Sequence, residues 1–179
     1  MTDSAEKFTR QTLLDVQPLT PHLFTLRTTR DRGFRFRAGQ FARLGVVKAD
    51  GTSVWRAYSM VSSPFDEFLE FFSIVVPHGE FTSELSRLQP GDELLVERQA
   101  FGYLTPDRFV DGRDLWLLST GTGVAPFLSI LQDFEVWEKF ERIILVYSVR
   151  EARELAYQEL IKDLTQRDYL AEYAHKFRF

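Results

Sequence analysis

Cysteine is absent from the 179-residue sequence. Its absence excludes a disulfide scaffold, a thiolate-ligated iron–sulfur cluster, a zinc ribbon and a cysteine nucleophile. The three histidines, His22, His78 and His175, are scattered without an i, i+4 pair, so their spacing predicts no metal site. No apolar run approaches the roughly 18 residues of a membrane span, and the polar N-terminus has no signal-peptide core. We therefore expect a cytoplasmic protein without a membrane segment.

Charge of one sign is not in large excess, because 22 basic and 26 acidic residues give a net charge of −4. This balance argues against nucleic acid as a partner. The distribution is nevertheless uneven. Residues 22–48 contain seven basic residues and one acidic residue, a net of +6, which leaves −10 for the rest of the chain. The basic stretch predicts a surface that suits an acidic protein partner.

The first hundred residues predict β structure. Short runs rich in Phe, Val, Leu and Tyr occur at residues 23–29, 40–47, 54–60, 68–76 and 93–99. Turn signals separate these runs, and their close spacing favours an antiparallel barrel or sandwich. Apolar residues at i, i+4 and i+7 predict one short helix at about residues 82–88.

The pattern changes to alternating strands and helices after Pro106. Residues 114–120 predict a strand and residues 124–134 a helix; residues 142–149 predict a strand buried on both faces, and residues 152–167 a second helix. This order predicts a right-handed βαβ unit with a parallel sheet. A third strand begins at residues 175–179, whereas nucleotide-binding sheets usually have five or six strands. We therefore expect an incomplete α/β domain after a boundary near residues 105–111.

A glycine-rich turn, Gly121-Thr122-Gly123, lies between the first of these strands and its helix. Glycines there let the backbone approach a pyrophosphate, and the following helix start supplies free N–H groups. Pro126 falls in the first helical turn, where its missing N–H costs nothing. The turn is therefore a candidate phosphate-binding site.

Arg150 ends the second strand of the α/β unit. That strand end meets the adenosine ribose in dinucleotide-binding folds, where an arginine suits the 2′-phosphate of NADP and an acid suits the 2′-hydroxyl of NAD. Glu151 follows directly, so both coenzymes stay open on these residues alone.

The sequence Arg56-Ala57-Tyr58-Ser59 lies on a predicted strand. Arg56 and Tyr58 share one face of that strand, where an arginine can hold a diphosphate and an aromatic ring can stack on a flat ligand. Thr82 and Ser83 open the short helix after Gly79 and form a second candidate anion site.

Taken together, RAYSM (56–60), LEFFSIVVPHGEFTSEL (69–85), PGDELLV (90–96) and LLSTGTGVAPFLSIL (117–131) resemble bacterial ferredoxin–NADP reductases. The resemblance covers nearly all of the chain from about Phe8. It implies an FAD-binding antiparallel β-barrel at residues 1–108 and the N-terminal part of an NADP-binding α/β domain at residues 109–179.

The resemblance also implies site residues. Tyr58 would stack on the flavin, Arg56 would hold the FAD pyrophosphate, and Ser59 would lie near flavin N5, where hydride arrives from nicotinamide C4; Tyr58 and Ser59 are thus the candidate catalytic residues. Arg150 would contact the 2′-phosphate of NADP. The remaining cofactor-binding candidates are Ala57, Ile74, Val75, Val76, Phe81, Thr82 and Ser83 for FAD, and Gly121, Thr122, Gly123 and Pro126 for NADP.

The expected function is electron transfer between NADP(H) and an acidic ferredoxin or flavodoxin through FAD. One alternative is an NADH-dependent oxygenase reductase component. Without cysteine the chain holds no iron–sulfur cluster, so electrons would pass to a separate molecule. Another alternative is a non-catalytic flavin-binding electron-transfer subunit.

Overall fold

The computed structural model describes residues 7–179. Residues 1–6, which belong to the polar N-terminus interpreted above, lie outside the described part. In chain order the strands and helices are β1 (Phe8–Pro18), β2 (Leu23–Thr29), β3 (Phe41–Val47), β4 (Ser53–Ser59), β5 (Phe68–Ile74), α1 (Glu80–Leu85), β6 (Glu93–Glu97), β7 (Asp114–Thr120), α2 (Ala125–Leu131), α3 (Glu135–Lys139), β8 (Arg142–Ser148), α4 (Gln158–Leu164) and β9 (Phe177–Arg178). Short 3₁₀ turns lie at Pro106–Arg108, Gly121–Val124, Ala152–Glu154 and Ala171–Lys176.

Six antiparallel strands form the N-terminal barrel, in the order β4-β3-β6-β1-β2-β5. A bridge between Met60 and Phe71 joins the two outer strands, and the Val61 amide donates to the Glu70 carbonyl at 2.8 Å. Alternate residues point inward as the period of two requires: Ala42, Leu44 and Val46 of β3 are all buried. The predicted antiparallel barrel with one short helix is confirmed.

The C-terminal part holds a parallel sheet in the order β7-β8-β9. Leu117 on β7 pairs with Leu145 on β8, and Phe177 on β9 pairs with Ile143. The helices cover one face of this sheet and bury Leu115, Leu117, Ile143 and Leu145 in a common core around Trp137. The predicted parallel α/β arrangement is confirmed.

The prediction that the strand at residues 142–149 is buried on both faces is wrong. Val146 is 42% exposed on β8, and its neighbours on β7, Trp116 and Leu118, are 60% and 64% exposed. The reason is that the helices of the described part pack against the opposite face. No helix within residues 7–179 is long and apolar enough to cross a membrane.

Three other elements differ from the sequence prediction. Strand β1 is not predicted, because polar side chains occupy inward positions: Thr9 and Gln11 are buried and bond to each other at 2.9 Å. The helix predicted at residues 124–134 ends at Leu131 and gives way to α3. The helix predicted at residues 152–167 is broken, because only residues 152–154 and 158–164 are helical.

The barrel and the α/β unit meet along α2. The Ser129 hydroxyl donates to the Ser62 carbonyl at 2.8 Å, and the Gln132 amide donates to the Val61 carbonyl at 2.8 Å. Both bonds are buried, and a buried acceptor without its partner is costly. The core around Trp137 also includes residues of the barrel, namely Leu23, Ala38, Val61 and Phe72.

Gly39 lies under this contact with φ +89°. A Cβ atom at Gly39 would lie 1.9 Å from the Leu104 carbonyl oxygen and 2.9 Å from the Ile130 Cδ1 atom. The close approach of α2 therefore depends on a residue without a side chain.

We predict that Gly39→Ala lowers the free energy of unfolding by about 2 to 5 kcal/mol, since positive φ costs about 1 to 2 kcal/mol and overpacking adds about 1 to 3 kcal/mol. Gly91 is the matched control, because it also has positive φ (+99°) but has nothing within 4 Å of a Cβ. Gly91→Ala should lose only the conformational part, about 1 to 2 kcal/mol. Urea unfolding of both variants measures the difference, and equal losses would contradict the proposed overlap.

Candidate functional site

A cleft of about 490 Å³ opens between the ends of β4 and β5, the start of α1 and the glycine turn before α2. The barrel and the α/β unit thus both contribute walls. The lining residues are Arg56, Ala57, Tyr58, Ser59, Phe72, Ser73, Ile74, Val76, Gly79, Glu80, Phe81, Thr82, Thr122, Gly123 and Ala125. We call this space the first cleft.

Tyr58 is the fixed aromatic group of the first cleft. Its ring lies 5.5 Å from the Phe81 ring and 6.5 Å, edge-on, from the Phe71 ring, measured between centroids. The Tyr58 hydroxyl and the Ser73 hydroxyl are 2.9 Å apart and hydrogen-bonded. Burial raises the pKa of Tyr58, while the bond to Ser73 and the charge of Arg56 act in the opposite direction. A neutral, clamped ring therefore faces the cleft.

Arg56 carries the uncompensated charge of the first cleft. Its guanidinium donates to the Trp55 carbonyl at 2.7 Å, and it forms no ion pair with any of residues 7–179. Among residues 7–179, Glu80 is the one carboxylate that lines this cleft, and it is held by Lys48 at 2.9 Å. The side chain of Arg56 is therefore available to an anionic ligand.

Two apolar side chains face water at the same place. Ile74 is 45% exposed and Val76 is 50% exposed, and both line the first cleft. Exposed apolar groups beside a clamped ring and a free arginine are typical of a site for a flat, charged ligand.

A second cleft, of about 470 Å³, lies at the carboxyl ends of β7 and β8. It is continuous with the first cleft, because Ile74 and Thr122 line both. Its lining consists of Leu23, Ile74, Thr120, Gly121, Thr122, Ser148, Val149, Arg150 and Glu154. Ligands of open parallel sheets bind at this end of the strands.

The glycine turn leaves its backbone open to the clefts. Gly121 has φ +50°, and a Cβ on Gly121 or Gly123 would meet nothing within 4 Å. Side chains here would fill the space in front of the peptide groups, so glycine keeps that space free for a ligand.

Arg150 is free because its acidic neighbours have other partners. Glu151 pairs with Arg153 at 2.8 Å. The Glu154 carboxylate accepts bonds from the amides of Arg150 and Glu151 at 3.1 and 3.4 Å. Across the described residues, no carboxylate forms an ion pair with Arg150. The guanidinium therefore offers its full charge to the second cleft.

Two family models match the chain in the same order as the two clefts. Residues 20–99 match the oxidoreductase FAD-binding domain, and residues 117–176 match the oxidoreductase NAD-binding domain. The fold is similar to the crystal structure of a ferredoxin–NADP⁺ reductase from Neisseria gonorrhoeae with bound FAD and NADP, with a TM-score of 0.87 and 39% identity over 97% of this chain and 67% of that one.

The chain belongs to the ferredoxin–NADP reductase family. It is 47% identical over 161 residues to a ferredoxin–NADP reductase of Pseudomonas aeruginosa. It is 41% identical over 152 residues to a flavodoxin/ferredoxin–NADP reductase of Escherichia coli. These matches cover 89% and 85% of this chain. The chain spans 62% and 60% of the length of these two relatives.

The structure brings most of the residues expected from the family resemblance together. Arg56, Ala57, Tyr58, Ser59, Ile74, Val76, Phe81, Thr82, Thr122 and Gly123 line the first cleft, and Gly121 and Arg150 line the second. Three expected residues line neither: Val75, Ser83 and Pro126. Val75, the first residue after β5, is partly buried against the barrel core, whereas Ile74 and Val76 on either side of it are exposed. Pro126 is in the first turn of α2.

Thr82 fixes the loop before α1. Its Oγ1 accepts a bond from the Val76 amide at 3.0 Å and lies 3.4 Å from the Val76 carbonyl oxygen. The hydroxyl is therefore engaged with the protein backbone, and Thr82 shapes the first cleft through this loop.

Sequence reasoning missed several lining residues. Phe72 and Ser73 lie on a strand whose apolar run hides which side faces the cleft. Gly79, already noted in the sequence before the short helix, is the N-cap of α1, and Glu80 is the first residue of that helix. Leu23, Ser148 and Glu154 come together only through the tertiary fold.

The basic stretch of this family member is largely compensated. Ion pairs join Arg27 to Glu70, Arg37 to Asp107, Arg43 to Glu97 and Lys48 to Glu80. Arg30 donates to three backbone carbonyls, those of Phe34, Pro64 and Asp66. Within the described part, Arg32 and Arg35 form no ion pair. These two residues are what remains of the predicted basic surface.

Proposed function

We propose that this chain is the flavin-binding part, together with part of the nucleotide-binding unit, of an FAD-dependent oxidoreductase. It would transfer hydride between NADP(H) and FAD and exchange electrons with a ferredoxin or flavodoxin. One observation carries the proposal: two continuous clefts share Ile74 and Thr122, the first with a clamped aromatic ring and the second with an open glycine turn.

The residues of the first cleft fit FAD. The Tyr58 ring and the exposed Ile74 and Val76 side chains suit a flat ring system, and the unpaired Arg56 suits a pyrophosphate. In this proposal Tyr58 stacks on the isoalloxazine, Arg56 binds the pyrophosphate, and Ser59 lies beside the reacting edge. Ala57, Phe81 and Thr82 complete the walls, while Val75 and Ser83 contribute through backbone and packing.

The residues of the second cleft fit NADP. Gly121, Thr122 and Gly123 present open backbone to the coenzyme phosphates, and Pro126 starts the helix behind them. Arg150 binds the 2′-phosphate, since Glu151 is engaged by Arg153. We place the boundary between the two domains at residues 108 and 109, in the segment between β6 and β7.

The chemistry that FAD supplies when bound is acceptance of a hydride and release of single electrons. The chain supplies binding and orientation. Tyr58 and Ser59 fix the position of the flavin ring, and the glycine turn positions the nicotinamide nucleotide. For the electron-transfer partner we propose an acidic protein that meets Arg32 and Arg35.

We predict that the purified chain binds FAD and that Tyr58→Ala weakens this binding. Stacking contributes roughly 0.5 to 1.5 kcal/mol, so the Kd for FAD should rise at least roughly 2- to 12-fold. Tyr103, an exposed tyrosine outside both clefts, gives the control variant Tyr103→Ala, whose Kd should stay unchanged. Flavin absorbance and fluorescence titrations measure the affinity. A chain that stays colourless after reconstitution, or that binds only FMN, would contradict the proposal.

We predict that Arg150 discriminates between coenzymes. Arg150→Ala should weaken binding of 2′-phospho-AMP by roughly 10- to 150-fold, as expected for a charge-assisted contact of about 1.5 to 3 kcal/mol, and should leave 5′-AMP unaffected. Arg113→Ala is the control, because Arg113 pairs with Glu141 beside the start of β7, at the opposite end of the sheet from the second cleft. Calorimetric titration measures both affinities. Equal effects on both nucleotides would show that Arg150 is only a surface residue.

We predict that electron transfer with an acidic partner depends on salt. Oxidation of a reduced acidic ferredoxin or flavodoxin by the flavin-loaded chain should slow as salt rises, since exposed charges are screened beyond about 8 Å at physiological ionic strength. The double variant Arg32→Glu/Arg35→Glu should mimic high salt. The control Arg113→Glu/Lys162→Glu changes the net charge equally elsewhere. Stopped-flow rates that change neither with salt nor in Arg32→Glu/Arg35→Glu would rule out this docking surface.

A further inference from the structure

The predicted helix at residues 152–167 is interrupted at residues 155–157, which we call the strap. Tyr157 ends the strap with φ 61° and ψ 18°, a left-handed conformation. Apart from His78 it is the one non-glycine residue with positive φ among residues 7–179. A β-carbon disfavours this conformation, so it persists only where surrounding contacts hold it.

The contact that holds Tyr157 crosses between the two halves of the protein. Its ring meets the Phe72 ring edge-on, with centroids 5.5 Å apart and an interplanar angle of 81°. Phe72 lies on β5 of the barrel and is buried. Aromatic pairs in this geometry are favourable beyond the area they bury.

The ring of Tyr157, and not its hydroxyl, makes the contact. The hydroxyl is buried and has no hydrogen-bond partner in the described part of the chain. Burial first, and then the neighbouring Glu70 carboxylate, raise the pKa of Tyr157 well above its usual value. Glu70 itself is held by Arg27 at 2.7 Å.

Each side of the contact leads to one of the two clefts. On the barrel side, Phe72 lines the first cleft, and the next residue, Ser73, bonds to the Tyr58 hydroxyl. On the other side, the strap follows Glu154, whose carboxylate fixes the amides of Arg150 and Glu151 in the second cleft. A shift of Tyr157 would therefore move the Arg150 loop relative to Tyr58.

We infer that Tyr157 is a positioning residue that fixes the strap against β5 and so sets the separation of the two clefts. This inference rests on the proposed function. Hydride transfer requires reacting atoms about 3 to 3.5 Å apart, and a misplacement of about 1 Å can slow a reaction about 100-fold. A residue that fixes the position of one cleft relative to the other therefore controls the rate of hydride transfer without contacting either ligand.

The test compares Tyr157→Leu with Tyr157→Phe and with Tyr173→Leu. Tyr173 is the matched control, because it makes an equivalent edge-on pair with Phe134, at 5.3 Å and 78°, wholly within the α/β unit. In the flavin-loaded chain, Tyr157→Leu should slow flavin reduction at saturating NADPH by at least about tenfold with the Kd for FAD unchanged. Tyr157→Phe keeps the ring and should reduce flavin at the wild-type rate. Tyr173→Leu should lower the melting temperature without slowing reduction.

A second measurement needs no catalysis. Amide hydrogen exchange should become faster in residues 72–74 and 121–125 of Tyr157→Leu, and should stay unchanged there in Tyr173→Leu. If Tyr157→Leu does not fold, Phe72→Leu removes the same contact from the barrel side, and exchange in residues 121–125 is measured instead.

The outcomes separate the two proposals. If NADPH does not reduce the flavin bound to the wild-type chain, the proposed function is contradicted. Amide hydrogen exchange would still test the role of the strap. Wild-type reduction rates and unchanged exchange in Tyr157→Leu would overturn the role of Tyr157. Equal slowing in Tyr173→Leu would overturn it as well, because the effect would then be general destabilisation.

Discussion

The packing of α2 against the barrel is the constraint on which the site depends. Ser129 and Gln132 bind the backbone carbonyls of Ser62 and Val61 in a buried seam, and Gly39 makes room for that approach. The glycine turn directly precedes α2, and Tyr58 lies a short way before Val61 and Ser62 in the chain. Fixing the helix on this segment therefore brings Tyr58 and the glycine turn to the same cleft.

Electrostatics in the clefts follow from which charges are already paired. Lys48 engages Glu80, and Arg153 engages Glu151, so these two acids beside the clefts have cationic partners. Arg56 and Arg150 are left with positive charge directed at two different spaces. This selective pairing gives each cleft one free guanidinium, which suits one phosphate-bearing ligand in each cleft.

Local patterns in the sequence predict most barrel strands, the parallel sheet and the glycine turn, because period-two alternation and strand-turn-helix order are local signals. Strand β1 is not predicted, because its inward residues Thr9 and Gln11 are polar and are hydrogen-bonded to each other. The break at residues 155–157 is not predicted either, because Tyr157 adopts a left-handed backbone conformation to contact a ring on a distant strand. For the same reason the sequence does not predict that Phe72 and Glu154 line the clefts, since tertiary packing brings them there.

The three tryptophans lie in different environments, so their fluorescence reports on different parts of the molecule. Trp137 is fully buried, whereas Trp116 lies on the uncovered face of the parallel sheet, 60% exposed. Trp55 is half-buried on the outer side of the barrel and covers Gly45. Red-shifted, quencher-accessible emission therefore comes mainly from Trp116. A protein segment that covers that sheet face would shift the emission maximum of Trp116 to shorter wavelength. The emission of Trp137 reports separately on the integrity of the core.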